Sequence, residues 1–224
     1  MEKLKTKNRE TNQSGFSLIE LLVVVVMILL LFGVSLFYLI PHRNLYRVED
    51  LSLQIVDILQ DAKQLALNQR QTMRVEINNS KSAIILIDEN SPTMDSDDRE
   101  VKRIALPYAY EVTVGVRPSN VSVEPTEPSP VPVPAFAPSS NPLTQANSVA
   151  VLRFTSTGLV RNAGVNALGS GSVMTGATIY AWKPRRPGQT ISEMTRGITV
   201  LGATGTVRLW NYAHNDSTPG WRNR

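Results

Sequence analysis

Residues 13–34 of this 224-residue chain read QSGFSLIELLVVVVMILLLFGV. The run is almost entirely apolar, yet it carries one carboxylate, Glu20, close to its start. From Phe16 to Ile40 there are 25 residues. A helix of that length is about 37 Å long at ~1.5 Å per residue, which exceeds the ~30 Å hydrocarbon core of a bilayer. The stretch therefore predicts a single membrane-spanning helix at residues 16–40.

The charges that flank this run predict its orientation. Four basic residues precede it within the first fifteen positions: Lys3, Lys5, Lys7 and Arg9. Only Arg43 and Arg47 occur in the fifteen positions that follow it. Because basic residues are retained on the cytoplasmic side of a membrane, we expect residues 1–15 in the cytoplasm and the rest on the opposite side. A secretory signal peptide is disfavoured, since its apolar core is only about 7 to 15 residues long.

The start of the apolar run combines three sequence features. Residues 15–22, GFSLIELL, follow a short basic leader and place a glycine before a phenylalanine, with a glutamate at the fifth position from that phenylalanine. This combination resembles the cleavage site of type IV prepilins and type II secretion pseudopilins. The resemblance implies a leader peptide at residues 1–15 and cleavage between Gly15 and Phe16 by a membrane-embedded prepilin peptidase. The same enzyme would methylate the new amine of Phe16.

The resemblance also implies a role for Glu20. A charged side chain in hydrocarbon costs ~2.5–3.5 kcal/mol on insertion scales, so such residues usually have a partner. After cleavage, Glu20 of one subunit would pair with the Phe16 amine of a neighbouring pilin or pseudopilin subunit. Because losing one partner of a buried ion pair is heavily penalised, the pair would act as a check on filament register. The alternative is a plain anchor in which Glu20 reaches the water interface.

Residues 41–70 predict an amphipathic helix beyond the membrane. Apolar residues recur there at spacings of three and four, as on one face of a helix: Leu45, Val48, Leu51, Ile55, Ile58, Leu59, Ala62, Leu65 and Ala66. Pro41 removes one backbone donor and crowds the preceding turn, so we expect it to kink the helix rather than to end it. The amphipathic segment is expected to lie against a globular head.

After residue 71 the pattern changes from helical periodicity to short extended runs. Met73, Val75 and Ile77 alternate with polar residues, and the turn at 78–81 precedes a second apolar run, which predicts a hairpin over residues 72–88. Further strands are expected at residues 101–106, 111–116, 149–154, 158–160, 178–182, 197–201 and 206–210. The predicted fold class is α+β and pilin-like: a long N-terminal helix, transmembrane in its first half, packed on an antiparallel β-sheet head at residues 71–224.

Three segments of the head have no strand pattern. Residues 117–142 hold eight of the fourteen prolines, which disfavours helix and central strand alike, so we expect an extended, mobile insertion. Docking of this insertion into an aromatic groove of a partner is the alternative. The Gly-containing residues 165–176 predict a second loop. The acidic run at residues 95–100 lacks the spacing of an EF-hand, and a solvated turn is preferred to a calcium loop.

The order of elements in the head resembles one branch of the pilin family. A late FTSTG at residues 154–158 and a terminal GTVR at 205–208 follow a helix and hairpins, as in GspH/FimT-type pseudopilins and minor pilins. The LQDAKQLA of residues 59–66 resembles the passage from helix to first strand in that family. The proline-rich insertion departs from the family pattern. The resemblance implies a structural subunit of a type II secretion pseudopilus or a type IV pilus.

The last third of the chain is basic. Residues 151–224 hold nine basic and two acidic residues, whereas residues 41–150 hold ten basic and fourteen acidic ones. Clustered positive charge attracts polyanions, with an ordinary solvated surface as the alternative. Trp182 and Trp221 lie beside some of these cations and suit base stacking. Six residues are therefore candidates for DNA contact: Lys183, Arg185, Arg186, Arg208, Arg222 and Arg224.

The resemblance bears on this DNA hypothesis as well. Some pilins of this type contact DNA through a Gly-Arg-x-Arg run near the C-terminus. In the present chain the corresponding residues 205–208 read GTVR, so Thr206 replaces the first arginine of the pattern. The Arg-x-Arg spacing returns only at Arg222 and Arg224, after Trp221.

The sequence predicts no enzyme. The chain has no cysteine and only two histidines, His42 and His214, so nucleophilic dyads and zinc sites lack members, and no cofactor is expected. The predicted protein is a single-pass subunit in the lipid of the inner membrane, with a periplasmic head, that joins other subunits in a filament. The alternative is a membrane-anchored minor pilin that binds DNA during uptake.

Overall fold

The computed structural model describes residues 17–89, 97–108, 111–121, 124–125, 136–139, 145–162, 176–186, 188–214 and 219–223. For residues 37–45, Ser139 and Asn162 it describes the backbone only. The predicted leader, both residues of the cleavage site (Gly15 and Phe16) and the DNA candidate Arg224 lie outside the described residues. So do residues 165–175 of the second loop expected at 165–176, whereas Gly176 begins a strand.

A single long helix, α1 (Leu18–Gln69), begins the described chain. It has 52 residues and includes Pro41. The prediction that the helix continues past this proline is therefore confirmed. The chain divides into two compact units, Met1–Arg43 and Asn44–Arg224, and α1 contributes residues to both. In the first unit, residues 18–36 form an apolar segment with a mean hydropathy of 2.9.

Within the second unit, α1 buries one face. Seven of its apolar side chains are at most 4% exposed and belong to the core of the head: Val48, Leu51, Ile55, Ile58, Leu59, Ala62 and Ala66. Spacings of three and four place these side chains on the same side of a helix. Leu65 is partly buried against the same core. The amphipathic stripe predicted from the sequence is therefore confirmed over residues 48–66.

Eleven strands follow the helix among the described residues. They are β1 (Met73–Asn78), β2 (Ala83–Asp88), β3 (Arg99–Ala105), β4 (Thr113–Val114), β5 (Ala137–Ser139), β6 (Ala146–Phe154), β7 (Val160–Asn162), β8 (Gly176–Pro184), β9 (Ser192–Leu201), β10 (Val207–Ala213) and β11 (Gly220–Asn223). All recorded pairings are antiparallel. The molecule therefore has the predicted α+β class.

The strands form two sheets. The first has the order β3-β2-β1-β6-β5, with β7 paired to β6, and the second has the order β11-β10-β9-β8-β4. In the β1–β2 hairpin, Met73 pairs with Asp88 and Asn78 pairs with Ala83, which confirms the first predicted hairpin. Apolar residues of both sheets and of α1 belong to one core cluster. The helix and the two sheets are thus held together mainly by burial of apolar area.

Both faces of the second sheet carry buried residues. Alternate residues of β8 and β9, among them Ile179 and Ile198, join the core with α1. Because neighbouring residues of a strand point to opposite sides, the intervening residues form the other face. Seven residues of that face, aromatic or threonine, are at most 9% exposed: Thr178, Tyr180, Trp182, Thr195, Thr199, Trp210 and Tyr212.

Part of the proline-rich insertion packs on this aromatic face. Pro125 is buried, and a Cβ on Gly197 of β9 would lie only 3.1 Å from the Pro125 ring. Val121 is 1% exposed, and Pro118 is buried too. The expectation of a mobile insertion is therefore wrong for Pro118, Val121 and Pro125, which pack on the head. Proline rings are apolar and lose little conformational entropy on ordering, so an aromatic sheet face stabilises them. Residues 126–135 lie outside the described part of the chain.

Two strands were not predicted from the sequence. β5 contains Pro138 and lies within the insertion, but it is the last strand of its sheet, where the missing N–H of a proline is tolerated. β11 is likewise an edge strand, paired to β10 through Tyr212 and Trp221. The strand expected at 111–116 is reduced to two residues. Gly158 belongs to a turn, with φ +79°, so β7 begins only at Val160.

Candidate functional site

The first part of α1 leaves its apolar surface uncovered. Within the described part of the chain, none of residues 18–36 is buried, and the exposed fractions of the large apolar side chains run from 83% at Leu18 to 45% at Leu36. Soluble proteins rarely expose contiguous apolar surface of that size unless it is an interaction or membrane surface. Nineteen residues span about 28 Å at ~1.5 Å per residue. By length and composition this segment can cross a membrane.

Glu20 lies at the N-terminal end of this surface. The helix begins at Leu18, and the Leu21 N–H donates to the Ser17 carbonyl at 3.1 Å, which places Ser17 at the N-cap position favoured by serine. Glu20 is exposed and is the acidic residue of the first turn. A carboxylate there interacts favourably with the positive end of the helix dipole. The start of the helix thus lies just after the predicted cleavage point.

The head contains a buried cluster of charges that the sequence did not predict. Glu89, 0% exposed, accepts two hydrogen bonds from Arg153, at 2.7 and 2.8 Å, and a third from Arg74 Nη1. Arg74 Nε lies 3.0 Å from Glu76 Oε1 in an ion pair without hydrogen-bond alignment. Arg74 Nη2 lies 3.5 Å from Asp98 Oδ2. Five charged residues are therefore at least nine-tenths buried together.

Local pattern did not indicate this charge cluster. Arg74 and Glu76 alternate with apolar residues in β1, a pattern typical of a solvated face, but both are at most 1% exposed. Asp98 belongs to the acidic run at 95–100, which was expected to be a solvated turn, yet its side chain is 1% exposed. The cluster links β1, β6 and the residues that flank β2 and β3. Because removing one partner of a buried ion pair leaves an uncompensated charge, the cluster makes the packing of these elements interdependent.

The two tryptophans proposed for base stacking make contacts within the head instead. Trp182 is 3% exposed, and its Nε1–H donates to the Val116 carbonyl at 2.7 Å. The Trp221 ring lies 5.0 Å from Tyr212 and 5.8 Å from Tyr180, centroid to centroid. The two indoles therefore serve the aromatic layer of the second sheet. The prediction that they stack nucleic-acid bases is wrong for Trp182, since its ring is not accessible.

The candidate DNA cations do not form one patch. Arg185 and Arg186 are exposed just beyond β8, whereas Arg208 is exposed on β10 opposite Thr199. Pro184 pairs with Ser192, seven residues from Thr199, so the two groups are about 24 Å apart at ~3.4 Å per residue. The other candidates are half-buried Lys183 on β8 and exposed Arg222 on β11.

Strand alternation separates the candidates further. Arg222 pairs with Asn211 of β10 and therefore lies on the same face of the sheet as Asn211. Arg208 is three residues before Asn211 on the same strand, so Arg208 and Arg222 point to opposite faces. Two other basic residues of the C-terminal third are used internally. Arg153 bonds Glu89, and Arg196 Nε donates to Glu49 of α1 at 2.8 Å. The structure therefore disperses much of the positive charge that the sequence concentrates.

Comparison with known proteins assigns the N-terminal segment. The family described as the prokaryotic N-terminal methylation motif matches residues 11–36. No curated protein and no solved structure matches the chain. The matched residues include the candidate cleavage site, Glu20 and the whole exposed apolar segment up to residue 36. The motif implies processing by a prepilin peptidase and assembly with other pilins. The chain therefore carries, at residues 11–36, the N-terminal methylation motif that is characteristic of type IV prepilin-like proteins.

Proposed function

We propose that the chain is a GspH/FimT-type pseudopilin or minor pilin, a structural subunit of a type II secretion pseudopilus or a type IV pilus. One observation carries the proposal: the methylation motif of residues 11–36 coincides with an apolar helical segment that the described residues of the chain leave unburied. Such a surface needs lipid before assembly and neighbouring helices afterwards. The basic leader supports a cytoplasmic N-terminus and a periplasmic head.

The assignment to the GspH/FimT branch is supported by where two sequence stretches meet. The turn at 155–158 and the turn at 202–205 lie against each other, since the Val160 N–H donates to the Gly202 carbonyl at 2.8 Å. Lys63 and Leu67 of α1 lie beside the same turns. The FTSTG and GTVR stretches that carry the resemblance, and the helix that precedes the first strand, are thus parts of one structural feature.

Glu20 is proposed to pair with the methylated amine of Phe16 on a neighbouring subunit. Cleavage after Gly15 would leave that amine directly before a helix that begins at Leu18. The positive amine and the helix dipole both favour a nearby carboxylate. In hydrocarbon an unpaired carboxylate is costly, so a subunit whose Glu20 has no partner would be excluded from the filament. The pairing thus sets the axial position at which each subunit is accepted.

Mass spectrometry of the protein isolated from its own cells tests the processing. We expect a mature chain that begins with N-methylated Phe16. A Gly15→Val variant is expected to keep its leader, because a branched side chain replaces the residue at the cleaved bond. A wild-type chain that still begins at Met1 in cells with an active prepilin peptidase would contradict the proposal.

Filament incorporation tests the role of Glu20. The Glu20→Ala variant is expected to insert into the membrane and to be cleaved normally, but to be lost from sheared or pulled-down filaments. Asp57→Ala is the matched control, since Asp57 is an exposed carboxylate on the same helix. Equal incorporation of Glu20→Ala and Asp57→Ala would refute the pairing and would favour a plain anchor.

A DNA-binding minor pilin stays the alternative prediction. The exposed Arg185 and Arg186 are compatible with phosphate contacts. The buried Trp182 and the separation of Arg208 from these two arginines do not favour it. The alternative differs from the main proposal in one respect that can be measured, because a DNA-binding role requires the arginines and filament assembly does not.

A further inference from the structure

Asn120 lies near the start of the proline-rich insertion. Two hydrogen bonds to the backbone of Ser192 hold its side chain against β9. Its Nδ2 donates to the Ser192 carbonyl at 2.9 Å, and its Oδ1 accepts from the Ser192 N–H at 3.3 Å. These two contacts determine which end of the amide is nitrogen, since rotating the group by 180° would oppose like groups at both positions. The second Nδ2 hydrogen is directed at His214, whose Nδ1 lies 3.2 Å away.

The orientation of Asn120 determines the protonation state of His214. Because Nδ2 is a donor, the Nδ1 of His214 must be an acceptor, so its proton lies on Nε2. That Nε2 lies 3.1 Å from the Thr195 hydroxyl, which lies 2.7 Å from the Ser192 hydroxyl. Ser192 Oγ in turn donates to the Met194 carbonyl at 2.6 Å. Only the neutral imidazole with its proton on Nε2 gives each hydrogen bond of this series one donor and one acceptor.

A second proton on His214 cannot be accommodated. It would place an N–H on Nδ1, facing the N–H of Asn120. If the Asn120 amide rotated to accept from it, both contacts with Ser192 would be lost. Ser192 is 4% exposed, and unpaired buried groups are costly. Protonation therefore breaks the connection between Asn120 and either His214 or Ser192.

We propose that His214 is a proton-operated clamp that holds residues 117–121 on the end of β9 when neutral and releases them when protonated. The released segment is tied to the aromatic layer of the second sheet. Ser119 donates to Thr190 through both its N–H and its hydroxyl, at 3.3 and 2.9 Å. The Val116 carbonyl accepts from Trp182. The clamp thus makes the packing of this segment on the aromatic layer depend on pH.

The groups that face His214 agree with this behaviour. An open cavity of about 740 Å³ brings Arg185 and Glu193 to the same site as the imidazole, together with Tyr212. The Tyr212 ring packs edge-on against the imidazole, with ring centroids 4.7 Å apart. Burial lowers the pKa of His214 below its ordinary 6.5. The stability linked to the neutral ring is therefore complete above pH 6.5 and is lost as the pH falls towards the lowered pKa.

Hydrogen–deuterium exchange of the full-length protein in detergent micelles tests the clamp. Protection is compared at pH 7.5 and 5.0 after division by the intrinsic exchange rates. Protection within residues 116–121 is expected to fall at least about threefold at the lower pH, while the β1–β2 hairpin stays unchanged. The His214→Asn variant keeps an acceptor towards Asn120 but cannot titrate, so it should lose the pH response. The other histidine supplies the control, and His42→Asn should retain the response.

Two further variants decide whether His214 is the responsible group. Asp216 lies two residues beyond it in the sequence, outside the described residues, and Asp216→Asn should leave the pH response intact. Asn120→Asp replaces the donor with a carboxylate that accepts from a protonated Nδ1, so it should raise the pKa of His214 in an NMR titration. Protection that does not change between the two pH values, a response that persists in His214→Asn, or an unchanged His214 pKa in Asn120→Asp would each overturn the proposal.

Discussion

The contact between the turns at 155–158 and 202–205 makes Gly205 a sensitive probe of the head. Gly205 has φ +59°, and a Cβ built on it would lie 2.7 Å from the Gly158 carbonyl oxygen. Alanine in this left-handed conformation costs ~1–2 kcal/mol. The methyl group adds an overpacking cost of ~1–3 kcal/mol, because the oxygen it meets belongs to the backbone and cannot rotate away. Gly205→Ala is therefore expected to lower the free energy of unfolding by about 2–5 kcal/mol.

Gly188 offers a matched control for the backbone cost alone. It has φ +78°, and nothing lies within 4 Å of a Cβ built there. Gly188→Ala is expected to lose only the ~1–2 kcal/mol of conformational strain. Both variants are measured by denaturant unfolding in the same detergent. The slope of the unfolding free energy against denaturant concentration is also compared, because equal slopes show that the two variants expose similar surface on unfolding.

The difference between the two variants isolates the contact between the turns. A loss at Gly205 that exceeds the loss at Gly188 by about 1–3 kcal/mol supports the described packing. Equal losses would show that the two turns do not touch in solution. The support that this contact gives to the GspH/FimT assignment would then be withdrawn.

Two further predictions concern the charges of the head. Glu89→Ala leaves two buried arginines without their shared carboxylate and should lower the free energy of unfolding by ~3–5 kcal/mol. Glu100→Ala is the control, because it removes an exposed ion pair worth less than ~1 kcal/mol. Similar losses for the two variants in denaturant unfolding would contradict the burial of Glu89. If the protein binds duplex DNA, Arg185→Ser with Arg186→Ser should weaken binding for all sequences and reduce the salt slope by ~0.9 for each lost phosphate contact. Fluorescence anisotropy between 50 and 200 mM salt measures this, and wild-type binding that is absent or independent of salt would end the DNA alternative.

The sequence predicted those features that depend on local pattern. The apolar run of residues 16–40 and the stripe at 48–66 follow from helical periodicity, and the 72–88 hairpin follows from alternation and a polar turn. A short processing motif is also local, so the methylation motif at 11–36 was recognisable from a few residues. Gly15 and Phe16 remain predictions on that ground alone, because they lie outside the described residues.

The tertiary structure decided which surfaces cover one another. Arg74 and Glu76 show a polar alternation typical of a solvated face, yet Glu89 and Arg153 from distant parts of the chain bury them. The proline-rich segment has no periodicity, and only the aromatic face of the second sheet shows why Pro125 packs. His214 sits in a polar tail, and its fixed tautomer depends on Asn120, 94 residues away. Burial and hydrogen-bond direction are properties of contacts between remote residues, so local sequence does not contain them.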